Sequence, residues 1–131
     1  MLDVSEEKLK SVEIIKSHRD LIAWQKAMSL TVEIYQITKV FPKEELFGLT
    51  SQIRRSSASI AANIAEGQGR RLSGEFRQFL GNARGSLLEL DTHIELAFRV
   101  GYITEQQHNN LQEKINEVGR ILNGLMRSIT S

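Results

Sequence analysis

Six arginines and no lysine fall within residues 51–90: Arg54, Arg55, Arg70, Arg71, Arg77 and Arg84, against Glu66, Glu75 and Glu89, a local net charge of +3. A guanidinium is planar, permanently charged and forked, so it grips phosphate or carboxylate through parallel bonds where lysine offers a point charge. Two kinds of chemistry follow: the arginines hold a polyanion, or they pair with acids inside the fold and between copies of the chain. Spacing sorts them. Arg77 and Arg84 are one heptad apart and so stay on nearly one helix face, drifting by about 20°. Arg70 and Arg71 stand in the loop just before that helix. Those four form the candidate polyanion surface, whereas Arg54 and Arg55 lie in a run of small residues and are expected to be paired.

Other chemistry finds little support. His18, His93 and His108 are the only histidines, and no two are three or four residues apart. Glu89 and His93 share a face, but a carboxylate di-iron bundle requires a second such motif, and none occurs. Cysteine is absent, which excludes disulfides, thiolate metal sites and a cysteine nucleophile. Gly67-Gln68-Gly69 has neither a preceding strand nor a following Gly-Lys-Ser/Thr, so it does not read as a phosphate loop. No nucleophile is paired with a base. The expectation is therefore no enzyme, no metal and no cofactor.

Outside the arginine region the charge is nearly balanced. Residues 1–50 and 91–131 each carry net −1, and the 131-residue chain carries +1. That length suits one domain with a real core. No run of about 18 apolar residues exists to span a membrane. Met1 to Ser17 mixes acids and lysines with its apolar residues, unlike a signal peptide, and a cytoplasmic location is expected. We treat residues 1–17 as a charged N-terminal extension and 18–131 as the domain.

The elements that must position the arginines are helices. A single proline, Pro42, and the lack of alternating β-branched runs argue for an all-α chain. Asp20 is the expected N-cap of a first helix reaching Val40, with Leu21, Trp24, Met28, Thr31, Tyr35 and Thr38 as its seam and Ala27, Ile34 and Phe41 widening it. Phe41-Pro42 ends it. A second helix follows from about Lys43, whose Ile53, Ser57, Ile60 and Ile64 share one face. Gln52, Ser56, Ser59, Asn63 and Glu66 form a polar stripe beside that face, and Ala58, Ala61, Ala62 and Ala65 form a third stripe with almost no bulk. So small a surface favours close neighbours on more than one side. Gly67 is expected to end this helix in the left-handed conformation.

Ser73 is the expected cap of a third helix running to about Val100. Its seam is Phe76, Leu80, Ala83, Leu87, Leu90, Ile94 and Ala97, and it carries a polar stripe of Asn82, Ser86, Glu89 and His93. Gly81 and Gly85 weaken its middle, which makes sense where another helix approaches. Thr104 and Gln107 form a capping box for the fourth helix, with Leu111, Ile115, Val118, Leu122, Leu125 and Ile129 as its seam. Short links between four helices give an antiparallel up-down bundle. Gln52, Arg54, Arg55, Ser59, Asn63, Glu66, Gly67, Gly85 and Glu89 are assigned to structure and to contacts between copies.

The run Gln52-x-Arg54-Arg55-x-x-x-Ser59-Ile60-x-x-Asn63-Ile64-Ala65-Glu66-Gly67 resembles the signature of the bacterial proteins encoded in intervening sequences of 23S ribosomal RNA genes. Its flanks agree: Asp20-Leu21 with Trp24-Gln25, Phe41-Pro42 with Glu45 and Gly48-Leu49, Ala83-Arg84-Gly85-Ser86 with Glu89-Leu90, and Gly101-Tyr102. The resemblance covers roughly residues 18–128 and implies a four-helix protomer in a ring-like homopentamer. That family is also similar in fold to the accessory variability determinants of diversity-generating retroelements, basic pentamers that associate with a reverse transcriptase and bind nucleic acid. Many relatives carry proline where this chain has Ala61, and the chain is less basic than the retroelement proteins.

Two readings follow. One is a non-enzymatic homo-oligomeric accessory protein that binds nucleic acid, RNA rather than DNA, and assists a reverse transcriptase. The other is a structural scaffold whose partner is a protein and whose arginines are tied up internally.

Overall fold

The computed structural model describes residues 17–129. They fold into four α-helices: α1 (Ile22–Thr38), α2 (Leu49–Gln68), α3 (Ser73–Arg99) and α4 (Glu105–Ser128), with 3-10 turns at His18–Asp20 and Lys43–Glu45. Among the described residues there is no strand, and no helix is long and apolar enough to cross a membrane. The expectation for residues 1–16 lies outside the described residues.

The heptad seams of α3 and α4 are buried as their spacing predicts, Leu80, Ala83, Leu87, Leu90, Ile94 and Ala97 on one and Leu111, Ile115, Val118, Leu122 and Leu125 on the other, with the end residues Phe76 and Ile129 only half-buried. Ile53, Ile60 and Ile64 of α2 complete three sides of the core. Each fully buried Leu or Ile contributes about 1.5–3 kcal/mol relative to an exposed one. The core face of α1 departs in part from the expected seam. Ala23, Ala27, Leu30, Thr31, Ile34 and Thr38 are buried, while Met28 and Tyr35 are 39% and 43% exposed. Leu21, Thr31 and Thr38 of the expected seam, with Ala27, Ile34 and Phe41 beside it, are buried, and α1 meets α2 through Thr31 and Thr38. The Thr31 hydroxyl, 2.9 Å from the Ala27 carbonyl and 3.1 Å from that of Ser57, lies at this contact.

Contacts between successive helices pair later residues of one with earlier residues of the next. Thr31 meets Ser57 and Thr38 meets Arg54, Ser59 meets Ser86 and Arg55 meets Glu89, Arg77 meets Ile129 and Arg84 meets Asn123. Links 39–48 and 100–104 adjoin, since the Phe41 and Tyr102 rings lie 5.3 Å apart and the Tyr102 hydroxyl donates to Glu45 at 2.8 Å.

Several helix ends differ from expectation. Asp20 does not cap α1: its carboxylate and the Ser17 hydroxyl form a capping box around the 3-10 turn, and α1 starts after Leu21 without a side-chain cap. α2 starts at Leu49 rather than near Lys43, and the Glu45 carboxylate accepts from the Leu49 N–H at 3.1 Å. An acid thus still serves the positive end of this helix. Ser73 is the first residue of α3, and Leu72 precedes it without a side-chain cap. Gly67 is helical, not left-handed; Gly101, with φ +87°, is the one described residue with positive φ.

Gly67 serves close packing instead. A Cβ there would lie 2.7 Å from Phe79 Cβ and 3.0 Å from Phe76 Cδ1, so only glycine lets α3 approach α2 at this point. Gly85 behaves in the opposite way: apart from its own stretch of helix, no atom of the described residues lies within 4 Å of where its Cβ would be, so no other described helix approaches it. α2 continues unbroken through the buried Ala61, while Ala58 and Ala62 are exposed.

Candidate nucleic-acid interface

The two polar stripes expected on α2 and α3 meet. Ser59 Oγ and Ser86 Oγ are 2.9 Å apart, and Asn63 Nδ2 donates to the Ser59 carbonyl at 2.9 Å and to its hydroxyl at 3.1 Å. Arg55 pairs with Glu89 and donates to Gln52 Oε1 at 2.8 Å. Arg54 donates to the Thr38 hydroxyl at 2.9 Å and lies over the Tyr35 ring. Arg54 and Arg55 thus each have partners within the chain, Arg55 an acid and Arg54 a hydroxyl and a ring. Glu66 is not part of this seam. Its exposed carboxylate accepts from Arg70 at 3.1 Å, one helical turn away, and not from Arg55.

The four arginines assigned to a polyanion surface do not form one cluster. Arg70 packs over Phe79, on the flank of α3 that meets α2 at Gly67, and pairs there with Glu66 and, at 4.0 Å, Glu75. Such exposed pairs contribute only about 0–1 kcal/mol, so a phosphate can displace them. Arg71 is exposed and, among the described residues, forms no ion pair. Arg77 and Arg84 lie on the opposite flank, against α4. Arg77 donates to the Ile129 carbonyl just beyond the α4 C-terminus, where the helix dipole favours a cation, and Arg84 donates to Asn123 Oδ1 at 3.3 Å.

On that flank α4 contributes a second arginine pair. Arg120 and Arg127 repeat the heptad spacing of Arg77 and Arg84, and the four line a continuous open groove between α3 and α4. Asn123 and Met126 lie between the arginines, Leu88 and Asn116 lie one helical turn beyond Arg84 and Arg120, and Asp91 lines the groove at that end. Neither Arg120 nor Arg127 forms an ion pair among the described residues. Regional charge concealed this pair, because residues 91–131 sum to net −1. Of the acids of α4, Glu117 pairs with Lys26 of α1 at 3.5 Å, while Glu113 and Glu117 adjoin Asn116 and Arg120 at the end of the groove away from Arg127. Heptad spacing of arginines, applied to α4 as to α3, is the signal that locates Arg120 and Arg127.

Two carboxylates at the other end of the molecule titrate low. Hydrogen bonds from the Tyr102 hydroxyl and the Leu49 N–H hold Glu45 below its ordinary range, and Tyr102 is raised in return. Arg99 and His108 hold Glu95 low; His108 Nε2 is 2.9 Å from Glu95 Oε1, and its ring stacks on Phe98 at 4.3 Å. These groups join links to helix ends, away from the arginine groove.

A search of the curated proteins gave no match. Among solved structures the fold is similar to that of a protein of unknown function from the S23 ribosomal protein family of Bacteroides thetaiotaomicron. The two are 25% identical with a TM-score of 0.75, over 81% of this chain and 96% of the other. The 23S rRNA-intervening sequence protein family matches residues 19–124, a span running from the 3-10 turn before α1 to the groove-lining half of α4. With α1 to α3, most of α4 and the Gln52–Gly67 signature inside that span, the chain belongs to the family of 23S rRNA-intervening sequence proteins.

Proposed function

We propose that this protein is a non-enzymatic, homo-oligomeric accessory protein that binds nucleic acid, RNA in preference to DNA, through the α3–α4 groove. One observation carries the reading: Arg77 and Arg84 face Arg120 and Arg127 across the α3–α4 groove, whose acids, Asp91 with Glu113 and Glu117, gather at the end beyond Arg84 and Arg120. Guanidiniums arranged this way suit successive phosphates. Arg70 and Arg71 extend the basic surface on the other flank of α3. The order of cross-helix contacts supports an antiparallel up-down bundle, and the family's resemblance to pentameric relatives motivates a ring of five. In such a ring each weak phosphate contact is multiplied by the number of copies. Assistance to a reverse transcriptase and a cytoplasmic location belong to the same reading.

The test is a titration of single-stranded RNA against the native protein and the Arg120→Ala/Arg127→Ala variant at several salt concentrations. Loss of two phosphate contacts should weaken binding similarly for unrelated sequences and reduce the salt slope by about 1.4, at roughly 0.7 per contact. An unchanged affinity and slope, with the fold intact, removes the groove from the binding surface.

The scaffold reading has its own support in exposed apolar residues: Phe47 is 92% exposed and Val40 80%. It predicts that a protein partner is retained after nuclease treatment while RNA does not bind.

A further inference from the structure

On that reading, we propose that the α3–α4 groove takes a single strand rather than a duplex, with phosphates on its arginine rims and bases turned inward onto Leu88, Asn116 and Asn123. The rims set the first constraint. On each helix the two arginines are seven residues apart, about 10.5 Å along the axis at 1.5 Å per residue. Packed helix axes lie about 8–10 Å apart, so the trough between the rims has the width of one strand. A duplex would rest on the rims and reach only the guanidinium tips.

What lies between the rims sets the second. Leu88 is 59% exposed, an apolar surface that phosphate cannot use and an unstacked base can. Asn116 and Asn123 repeat at the same heptad interval and offer carboxamides, which supply both donors and acceptors to a base edge. Their existing bonds leave capacity for this: Asn123 Oδ1 accepts from Arg84 at 3.3 Å and Asn116 Oδ1 from Gln112 at 3.4 Å, with both Nδ2 groups unengaged among the described residues. Guanidinium planes beside Leu88 add further faces for stacking. Asp91 repels phosphate at the end beyond Arg84 and Arg120, so the strand's phosphates stay on the arginines and only its bases reach Leu88 and Asn116 there.

An RNA of about 12 nucleotides, within the roughly 4–16 covered by single-strand-binding folds, is titrated alone and annealed to its complement. The single strand should bind at least about tenfold more tightly, the scale of one stacked base. Leu88→Ala/Asn116→Ala changes two exposed positions without removing charge. It should cost about three- to tenfold on the single strand, leave the salt slope unchanged and preserve the helical circular dichroism. A duplex bound as tightly as the single strand, or a double variant that binds like the native protein, overturns the single-strand assignment while nucleic-acid binding stands. Failure of both RNA forms to bind overturns the functional reading as well.

Discussion

Gly67 and Gly85 both sit inside helices, and packing gives them opposite roles. At Gly67 an added methyl would press on Phe79 Cβ and Phe76. Gly67→Ala should therefore destabilise by about 1–3 kcal/mol, the usual cost of overpacking, read as a lower urea midpoint. At Gly85 the methyl meets nothing, so Gly85→Ala should gain up to about 1 kcal/mol of helix propensity and raise the midpoint. A fall instead would mean that another copy's helix covers that face. Glu45 has a pH consequence. Its carboxylate titrates lower in the folded state than its ordinary 4.5, so its contribution is complete above that value and is lost as pH falls through the lower, folded value. Glu45→Gln should lower the melting temperature at pH 7, and the gap from the native protein should close on acidification below 4.5. A gap independent of pH would contradict the role assigned to the Tyr102 and Leu49 bonds.

The helices themselves were largely legible in the sequence, because apolar periodicity in α3 and α4 records a face buried against several neighbours at once. The capping box of Thr104 and Gln107 was legible for a local reason: its two reciprocal bonds depend on four consecutive residues. The α1 seam was legible in part: Leu21, Ala27, Thr31, Ile34, Thr38 and Phe41 are buried as their spacing predicts, but Met28 and Tyr35 are exposed while Ala23 and Leu30 are buried, a choice that only the neighbouring helices make. Gly67 was misread for the same reason, since glycine before a loop suggests a C-cap and the Phe76 and Phe79 that require it lie on another helix. At the candidate site, Arg77 and Arg84 were recognised as a pair by spacing. Their partners across the groove, Arg120 and Arg127, were hidden by Glu113 and Glu117 in the same segment, whose charges cancel in the sum.

At the scale of the whole molecule, the proposed ring would repeat the basic groove once per copy. Light scattering at micromolar concentration should report about five chains, and a monodisperse monomer would remove the ring and the avidity it provides. The central claim is that arginines of the α3–α4 groove bind RNA phosphates, and salt dependence tests it most directly. For the native protein and a single-stranded RNA, log affinity against log salt should fall with a slope of at least about −2.8, from four arginines at roughly −0.7 each. Absence of binding at low salt, or binding with a slope near zero, would contradict it.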